Sequence, residues 1–215
     1  MSDPPLFKDR QEAGEKLAQV IAAQAPRPPL IVYALPRGGL PVAEPIARRL
    51  RCPLDVIVAK KITEPQNPEL AIGAVTADGH VLRARHRPAW MIGMDLWQAA
   101  LAQAHQKAQF QKAQLIPSHP ELKATGAIAL LVDDGVATGM TMAVAVQALR
   151  QQTPREVWIC APVAPANVME ALHQWAEQVI VLANPEPFWS VGRFYQDFPQ
   201  VPLEEARALL LGSTI

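Results

Sequence analysis

Short apolar runs alternate with helical patterns along most of the chain, and this alternation limits the fold more than any other feature of the sequence. Five of the runs are rich in β-branched residues, which is typical of strands buried on both faces of a sheet. They cover residues 30–35, 54–59, 128–133, 157–161 and 179–183, with helical patterns at 9–25, 40–51, 140–151 and 166–176. We therefore predict an α/β fold: a doubly wound parallel sheet of about five core strands with helices on both faces.

Two stretches between the second and third of these strands do not fit the alternation. Residues 71–83 alternate between apolar and polar side chains around Asp78-Gly79, which is typical of a β-hairpin. Residues 93–115 are rich in Ala and Gln and predict one long helix with a polar face. We expect a hairpin and helix insertion over residues 62–116, which decorates the core, forms a dimer surface, or covers the carboxyl edge of the sheet.

The totals for the chain exclude several classes of protein. A length of 215 residues suits a single domain over residues 1–215. Lys+Arg and Asp+Glu both number 20, so no net charge attracts the chain to nucleic acid or to an acidic membrane surface. No apolar run approaches the roughly 20 residues of a membrane span. Cys52 and Cys160 lie in separate apolar stretches, as core thiols do in a reducing compartment. We predict a cytoplasmic protein.

The third core strand ends in two adjacent carboxylates, Asp133 and Asp134, and the next helix begins at Thr138-Gly139-Met140-Thr141. The loop between them bends at the carboxyl edge of the sheet, where ligands bind in such folds. Free backbone N–H groups, the helix dipole and two hydroxyls predict a phosphate site there. The carboxylates can accept hydrogen bonds from sugar hydroxyls or bind the water shell of Mg²⁺. The alternative is an acidic turn in which Thr138 or Thr141 caps the helix.

Two motifs in this arrangement carry a resemblance to a known family. The segment LLVDDGVATGMT resembles the phosphoribosyl pyrophosphate (PRPP) signature of type I phosphoribosyltransferases, and ALPRGGLPVA stands where that family has its pyrophosphate loop. In that family the pyrophosphate loop often contains a cis peptide bond. The segments FKDRQEAGEKLA, KKITEPQNPELAIGAV and FWSVGRFYQDF are similar to a narrower group of bacterial phosphoribosyltransferase-like proteins. The resemblance thus extends over nearly the whole chain.

The resemblance implies an activity. A member of this family transfers the 5-phosphoribosyl group from PRPP to a nitrogenous base, with Mg²⁺ on the diphosphate and pyrophosphate as the leaving group. The alternative is a non-catalytic regulatory protein of the same fold that binds PRPP or a nucleotide, since fold alone does not determine function. A domain that uses the same loop for another phosphorylated sugar is a third possibility. Members of the family commonly pair, so we also expect a homodimer.

The resemblance assigns roles to particular residues. The PRPP-binding residues are Asp133, Asp134, Gly135, Ala137, Thr138, Gly139, Met140 and Thr141, of which Asp133 and Asp134 also face the Mg²⁺ through PRPP. The pyrophosphate-binding residues are Pro36, Arg37, Gly38, Gly39 and Lys60. Arg37 can pair with a diphosphate, and the two glycines let the backbone approach it. The catalytic candidates are Arg37, Lys61 and Glu69. Lys61 and Glu69, together with Glu64, belong to a predicted mobile loop at residues 60–73 that supplies the acid or base.

The C-terminal segment, residues 184–215, resembles the hood of the purine phosphoribosyltransferases, in which an aromatic ring stacks on the base. Trp189 is the first candidate for this ring and Phe188 the second, and such stacking contributes roughly 1–3 kcal/mol. The alternative is that these aromatic residues attach the C-terminal segment to the core. Two positions depart from the 6-oxopurine enzymes, which have an aspartate in place of Ala137 and a lysine in place of Ala161. The identity of the base is therefore left open.

Overall fold

A central parallel sheet of five strands forms the core of the protein. The computed structural model describes residues 4–84, 93–116 and 122–212. The core strands are β1 (Leu30–Ala34), β2 (Leu54–Val56), β6 (Ile128–Val132), β7 (Glu156–Val163) and β8 (Gln178–Ala183). They lie in the order β2-β1-β6-β7-β8, and every pairing is parallel. The predicted parallel sheet is confirmed.

Helices cover both faces of this sheet. They are α1 (Arg10–Ala23), α2 (Leu40–Leu50), α3 (Met94–Leu115), α4 (Met140–Arg150), α5 (Ala166–Trp175) and α6 (Leu203–Gly212). Apolar residues of α1, α2, α6 and the C-terminal half of α3 pack against one face of the sheet, and those of α4 and α5 pack against the other. Because successive strand residues point to opposite faces, Leu130 and Leu131 enter different cores and both are fully buried. This arrangement is the predicted doubly wound fold.

A second, antiparallel sheet lies between β2 and α3 in the chain. It contains β3 (Ala59–Glu64), β4 (Asn67–Thr76) and β5 (Val81–Arg83) in the order β3-β4-β5. Ile62 and Ile72 of this sheet pack with Trp97 of α3 in a small core of their own. The hairpin predicted around Asp78-Gly79 is present as β4 and β5, with Gly79 at φ 89°, and the predicted long helix is α3.

The prediction of a mobile loop at residues 60–73 was wrong. These residues form β3 and most of β4, in antiparallel pairing, with only residues 65–66 in a turn. Charged residues are compatible with such strands because one face of an antiparallel sheet can face water; Lys61 is exposed while its neighbour Ile62 is fully buried. The second core strand, predicted over residues 54–59, is shorter in the structure. The chain leaves the central sheet after Val56 and enters the second sheet at Ala59.

The C-terminal segment is attached to the N-terminal one. Phe7 forms a bridge with Tyr195, and the amide of Leu6 donates to the Phe194 carbonyl at 2.9 Å. A short 3-10 helix, Val191–Phe194, precedes this contact. Helix α6, which the sequence pattern did not indicate, follows it and buries only Ala206 and Leu210 fully.

Two further predictions concern the environment of the chain. Within the described ranges, none of the helices has the length and apolar character needed to cross a bilayer. Cys52 and Cys160 are both free and buried, as predicted. Burial raises the pKa of the Cys52 thiol to about 11, so this thiol is unreactive at neutral pH.

Candidate active site

The strand order creates a crevice at the carboxyl edge of the central sheet. The chain runs from β1 to β2 on one side and later enters β6 on the other side of β1, and ligands bind at such a reversal of direction. The loop after β1, here called the glycine loop (residues 36–39), and the loop after β6, the acidic loop (residues 133–139), flank this crevice. The Leu35 amide donates to the Val132 carbonyl at 2.9 Å. The fold thus brings the two sequence motifs together.

The acidic loop leads into α4 through a glycine that no other residue replaces easily. Gly139 is the N-cap residue, with φ 71° in the left-handed region, and no side chain caps the helix. The first helical bond there runs from the Ala143 amide to the Gly139 carbonyl at 2.8 Å, so the amides of the first turn have no partner inside the helix. The alternative of capping by Thr138 or Thr141 is therefore excluded.

These amides border a cavity of about 220 Å³, here called the cradle cavity. Its polar lining side chains are Lys61, Asp133, Thr138 and Thr141. Lys61 projects from β3 of the second sheet, in register with Ala74 of β4, so the second sheet supplies a cation to a pocket built by the central sheet. A helix N-terminus with a lysine and two hydroxyls is suited to a phosphate.

The two adjacent carboxylates point to different surroundings. Asp133 lines the cradle cavity, and its Oδ1 accepts the Asp134 amide at 2.9 Å. Burial, and then the charge of Asp134, raise the pKa of Asp133 well above its ordinary value of 3.8, although the charges of Arg10 and Lys61 oppose this. Asp134 Oδ2 instead accepts from Arg10 Nε at 2.8 Å. Of the pair, only Asp133 lines the cavity.

Arg10 is a residue of the site that the sequence reasoning missed. It is 9% exposed, and its Nη1 donates to the Pro199 carbonyl at 2.7 Å while its guanidinium lies 3.6 Å from the ring centroid of Phe198. The Tyr195 hydroxyl also donates to the Asp134 carbonyl, at 2.6 Å. Helix α1, through Arg10, and the C-terminal segment, through Tyr195, therefore both hold the acidic loop. One feature of the sequence could have identified Arg10: it shares the apolar face of α1 with Ala13 and Leu17.

The glycine loop lies directly against the acidic loop. The Pro36–Arg37 peptide bond is cis, as the resemblance implied. A Cβ atom added to Gly38 would lie 2.8 Å from Asp134 Cγ, and one added to Gly39 would lie 2.8 Å from the Val132 carbonyl oxygen. Real Cβ atoms do not approach so closely, so Gly38 is required by the contact with the acidic loop and Gly39 by the close approach of the Leu35 and Val132 backbone.

Cations gather beside the glycine loop. Arg37 and Lys60 are both half-buried. Burial lowers the pKa of Lys60, and the charges of Arg37 and then Lys107 lower it further, so Lys60 lies within the field of both cations. Such a cluster favours an anion of high charge.

A second cavity, of about 630 Å³, shares Ala137 and Thr138 with the cradle cavity as lining residues and is here called the hood cavity. Its remaining lining residues are Pro165, Ala166, Asn167, Glu186, Pro187, Phe188 and Trp189. Trp189 is 72% exposed, whereas the Phe188 ring packs against Phe194 at a centroid distance of 5.0 Å. The Trp189 ring is thus the more available of the two for stacking.

The hood is seated on the acidic loop. A Cβ atom on Gly135 would lie 2.5 Å from Val191 Cγ1, so Gly135 provides the space that the 3-10 helix occupies. Ala161, which the resemblance places where 6-oxopurine enzymes have a lysine, is fully buried in the core and is not among the residues that line the hood cavity.

The remaining acid–base candidates are Glu69 and Glu64. Glu69 belongs to β4, but its side chain lies outside the described residues. Glu64, at the end of β3, is half-buried and lines neither cavity. Across residues 4–84, 93–116 and 122–212, no group of three His, Cys, Asp or Glu side chains is arranged to hold a metal ion.

Comparison with known proteins decides the family. The family model for the phosphoribosyl transferase domain matches residues 7–193. The chain belongs to the phosphoribosyl transferase family. A protein of Mycobacterium tuberculosis that carries a phosphoribosyl transferase name, in strains CDC 1551 and H37Rv, is 37% identical over 213 residues. The match covers 95% of this chain and 46% of that protein, so this chain spans about half the length of the curated relatives it matches.

Comparison with solved structures supports the fold described above. A crystal structure of a Thermus thermophilus protein has a TM-score of 0.80 and 34% identity, covering 96% of this chain and 98% of that one. A Neisseria gonorrhoeae protein crystallised with bound ppGpp has a TM-score of 0.51 and 12% identity, covering 100% of this chain and 99% of that one. The second likeness concerns the fold alone.

Proposed function

We propose that this phosphoribosyl transferase family member is a PRPP-dependent enzyme that transfers the 5-phosphoribosyl group to a nitrogenous base and releases pyrophosphate. One observation carries the proposal. The acidic loop, which lines the cradle cavity together with Lys61, meets the glycine loop where Asp134 contacts Gly38, and its Ala137 and Thr138 also line the hood cavity with its exposed indole ring. This order suits a ligand with a phosphate, a sugar and a diphosphate, next to a flat heterocycle.

The 5-phosphate is assigned to the cradle cavity. Amides at the start of α4, the hydroxyls of Thr138 and Thr141, and Lys61 would donate to its oxygens. Lys61 is therefore assigned to binding, in place of the catalytic role that the sequence motifs alone suggested. The ribose would lie next to Asp133, whose carboxylate would accept hydrogen bonds from the sugar hydroxyls.

The diphosphate is assigned to the glycine loop. Arg37 and Lys60 would bind its oxygens and stabilise the charge that develops as pyrophosphate leaves the sugar. Asp134 would not contact the ligand through its carboxylate, because that group is bound to Arg10; its role is to hold the acidic loop to helix α1. Gly38 leaves the space beside the glycine loop that the Asp134 carboxylate occupies.

The described residues fit a magnesium ion that arrives with PRPP better than one bound in advance. Asp133 is the one carboxylate of the acidic pair in the cradle cavity, and a single carboxylate together with substrate phosphates is a usual arrangement for Mg²⁺. Asp133 would hold the ion through its water shell. When bound, Mg²⁺ supplies neutralising charge on the diphosphate.

The base is assigned to the hood cavity. Trp189 would stack on the heterocycle, and Asn167, Glu186 and Thr138 are the polar side chains that line the cavity. No Lys or Arg is among its described lining residues, which favours a neutral acceptor over one with a carboxylate. The acid or base of the reaction is not assigned, and Glu69 stays a prediction.

Titration calorimetry of PRPP with Mg²⁺ tests the proposal, with ribose 5-phosphate as the comparison ligand. We expect PRPP to bind more tightly than ribose 5-phosphate, because only PRPP reaches the cations of the glycine loop. The variant Asp133→Asn should weaken PRPP binding about 10- to 150-fold, which corresponds to the roughly 1.5–3 kcal/mol of a hydrogen bond to a charged group.

Turnover is tested separately, by release of pyrophosphate in the presence of a panel of nucleobases. Release with one base establishes the transferase. PRPP binding without release from any base would favour the regulatory protein of the same fold. If PRPP does not bind, or binds no better than ribose 5-phosphate, the assignment of the site is wrong. The expected homodimer is checked by light scattering in the same preparations.

A further inference from the structure

We propose that the insertion helix α3 completes the diphosphate site: Lys107 supplies a third cation beside Arg37 and Lys60, and Gln111 positions the glycine loop. This inference rests on the proposed function and deepens it. It also gives the insertion a role in substrate binding, because α3 lies in the insertion between β2 and β6.

Gln111 contacts the glycine loop directly. Its Nε2 donates to the Pro36 carbonyl oxygen at 3.3 Å, and this carbonyl belongs to the peptide bond that precedes Arg37. The Gln111 Oε1 is buried and has no hydrogen-bond partner among the described residues. A buried amide oxygen usually has a hydrogen-bond partner. The Gln111 Oε1 atom can therefore accept a hydrogen bond from a further polar group. Gln111 thereby fixes the peptide that carries Arg37.

Lys107 lies one helical turn before Gln111. Residues four apart share one side of a helix, so Lys107 is on the side of α3 that meets the glycine loop. Ala104 and Ala108, which flank it on the buried face, pack into the cores of the second sheet and the central sheet. Lys107 is exposed at the edge of this contact. Its charge acts on Lys60, where it adds to burial and to the charge of Arg37 in lowering the pKa of that lysine.

The three cations lack a counterion within the described part of the chain. None of Arg37, Lys60 and Lys107 forms an ion pair with a carboxylate of those residues. Lys112, on the same helix, pairs with Asp78 at 2.6 Å, so α3 does provide a paired lysine elsewhere. Like charges close together are unfavourable unless an anion joins them. A diphosphate has the charge and the several acceptor oxygens to bridge cations from three separate elements.

The experiment compares Lys107→Gln with Lys112→Gln. Both remove one positive charge from the same helix, so the second controls for a general change in the field of the protein. Dissociation constants of PRPP, inorganic pyrophosphate and ribose 5-phosphate are measured with Mg²⁺ at constant ionic strength. We expect Lys107→Gln to weaken binding of PRPP and pyrophosphate about tenfold, the lower end of the effect of one hydrogen bond to a charged group, and to leave ribose 5-phosphate unchanged. Lys112→Gln should change none of the three by more than about twofold.

The role of Gln111 is tested with Gln111→Met, which keeps the length of the side chain and removes the donor. We expect PRPP affinity to fall while ribose 5-phosphate affinity and the melting temperature stay close to wild type. A merely structural role would lower the melting temperature and affect both ligands alike.

The outcomes separate this inference from the proposed function. If wild type prefers PRPP over ribose 5-phosphate and Lys107→Gln keeps that preference in full, the inference is overturned and the proposed function stands. If wild type shows no preference for PRPP, both are overturned. Loss of the preference in Lys107→Gln but not in Lys112→Gln supports the assignment of α3 to the diphosphate.

Discussion

Replacing Asp134 by alanine is expected to destabilise the protein much more than the same change at Asp133, although the two carboxylates are adjacent. Asp134 forms an ion pair with Arg10 in which the two side chains are only 15% and 10% exposed. Removing Asp134 leaves the guanidinium buried without its carboxylate. Asp133 forms no ion pair with any of the residues that the structure describes, and it lines the cradle cavity.

The size of the difference follows from these contacts. Removing one partner of a buried ion pair costs about 3–5 kcal/mol. Arg10 would keep its bond to the Pro199 carbonyl and its contact with the Phe198 ring, so we expect the lower part of this range, about 3 kcal/mol. Asp133→Ala removes one hydrogen bond, to the Asp134 amide, which contributes about 0.5–1.5 kcal/mol. It also removes the burial of a carboxylate, so its net effect should be within about 1 kcal/mol.

Urea unfolding of the two variants, together with Arg10→Met and Arg10→Met/Asp134→Ala, measures these terms. In the double variant neither charge is left unpaired, so its loss of stability should be well below the sum of the two single losses. Equal losses for Asp133→Ala and Asp134→Ala, or strict additivity in the cycle, would refute the reasoning. The difference also determines the choice of variant for ligand binding, since a change at Asp134 alters the fold as well as the site.

Three further predictions address the site. The variant Asp133→Asn should raise the free energy of unfolding at about pH 7. Burial raises the pKa of Asp133 above 3.8, so above pH 3.8 the folded wild type binds more protons than the unfolded chain and loses stability as the pH rises. The asparagine variant has no such loss. The advantage should therefore shrink as the pH falls toward 3.8, and denaturation at a series of pH values checks this; a constant difference would contradict it. Gly139→Ala should lower the free energy of unfolding by about 1–2 kcal/mol, because φ is 71° and the new methyl group would lie 3.1 Å from the Trp175 ring. The variant should also bind PRPP more weakly. A loss of stability below about 0.5 kcal/mol in thermal unfolding would argue against the strained geometry. Trp189→Ala should weaken base binding by about 1–3 kcal/mol and leave PRPP affinity unchanged. Phe188→Ala should instead lower the stability of the protein, since that ring packs against Phe194. Kinetics with the accepted base and thermal unfolding distinguish the two roles.

Much of the fold was predictable because the relevant signals are local. Buried parallel strands are nearly continuous apolar runs, and the helices between them have their own periodicity. The five core strands and the long helix α3 could therefore be located within a few residues. The segment 60–73 could not, because most of its charged residues lie on β3, whose pairing with β4 was not evident from composition. Sheet pairing depends on the neighbouring strand more than on the intrinsic preference of the residues.

The sequence by itself located the two motif loops and predicted their chemistry. A glycine-rich turn after an apolar strand, and two carboxylates followed by a helix start, have consequences that do not depend on distant residues. Only the tertiary structure decided which groups join those loops. Arg10 reaches Asp134 across 124 residues, Gln111 reaches Pro36 across 75, and Lys61 enters the cradle cavity from a second sheet. No periodicity records such contacts, because side chains far apart in the chain meet only once strand order and helix packing have brought their elements together.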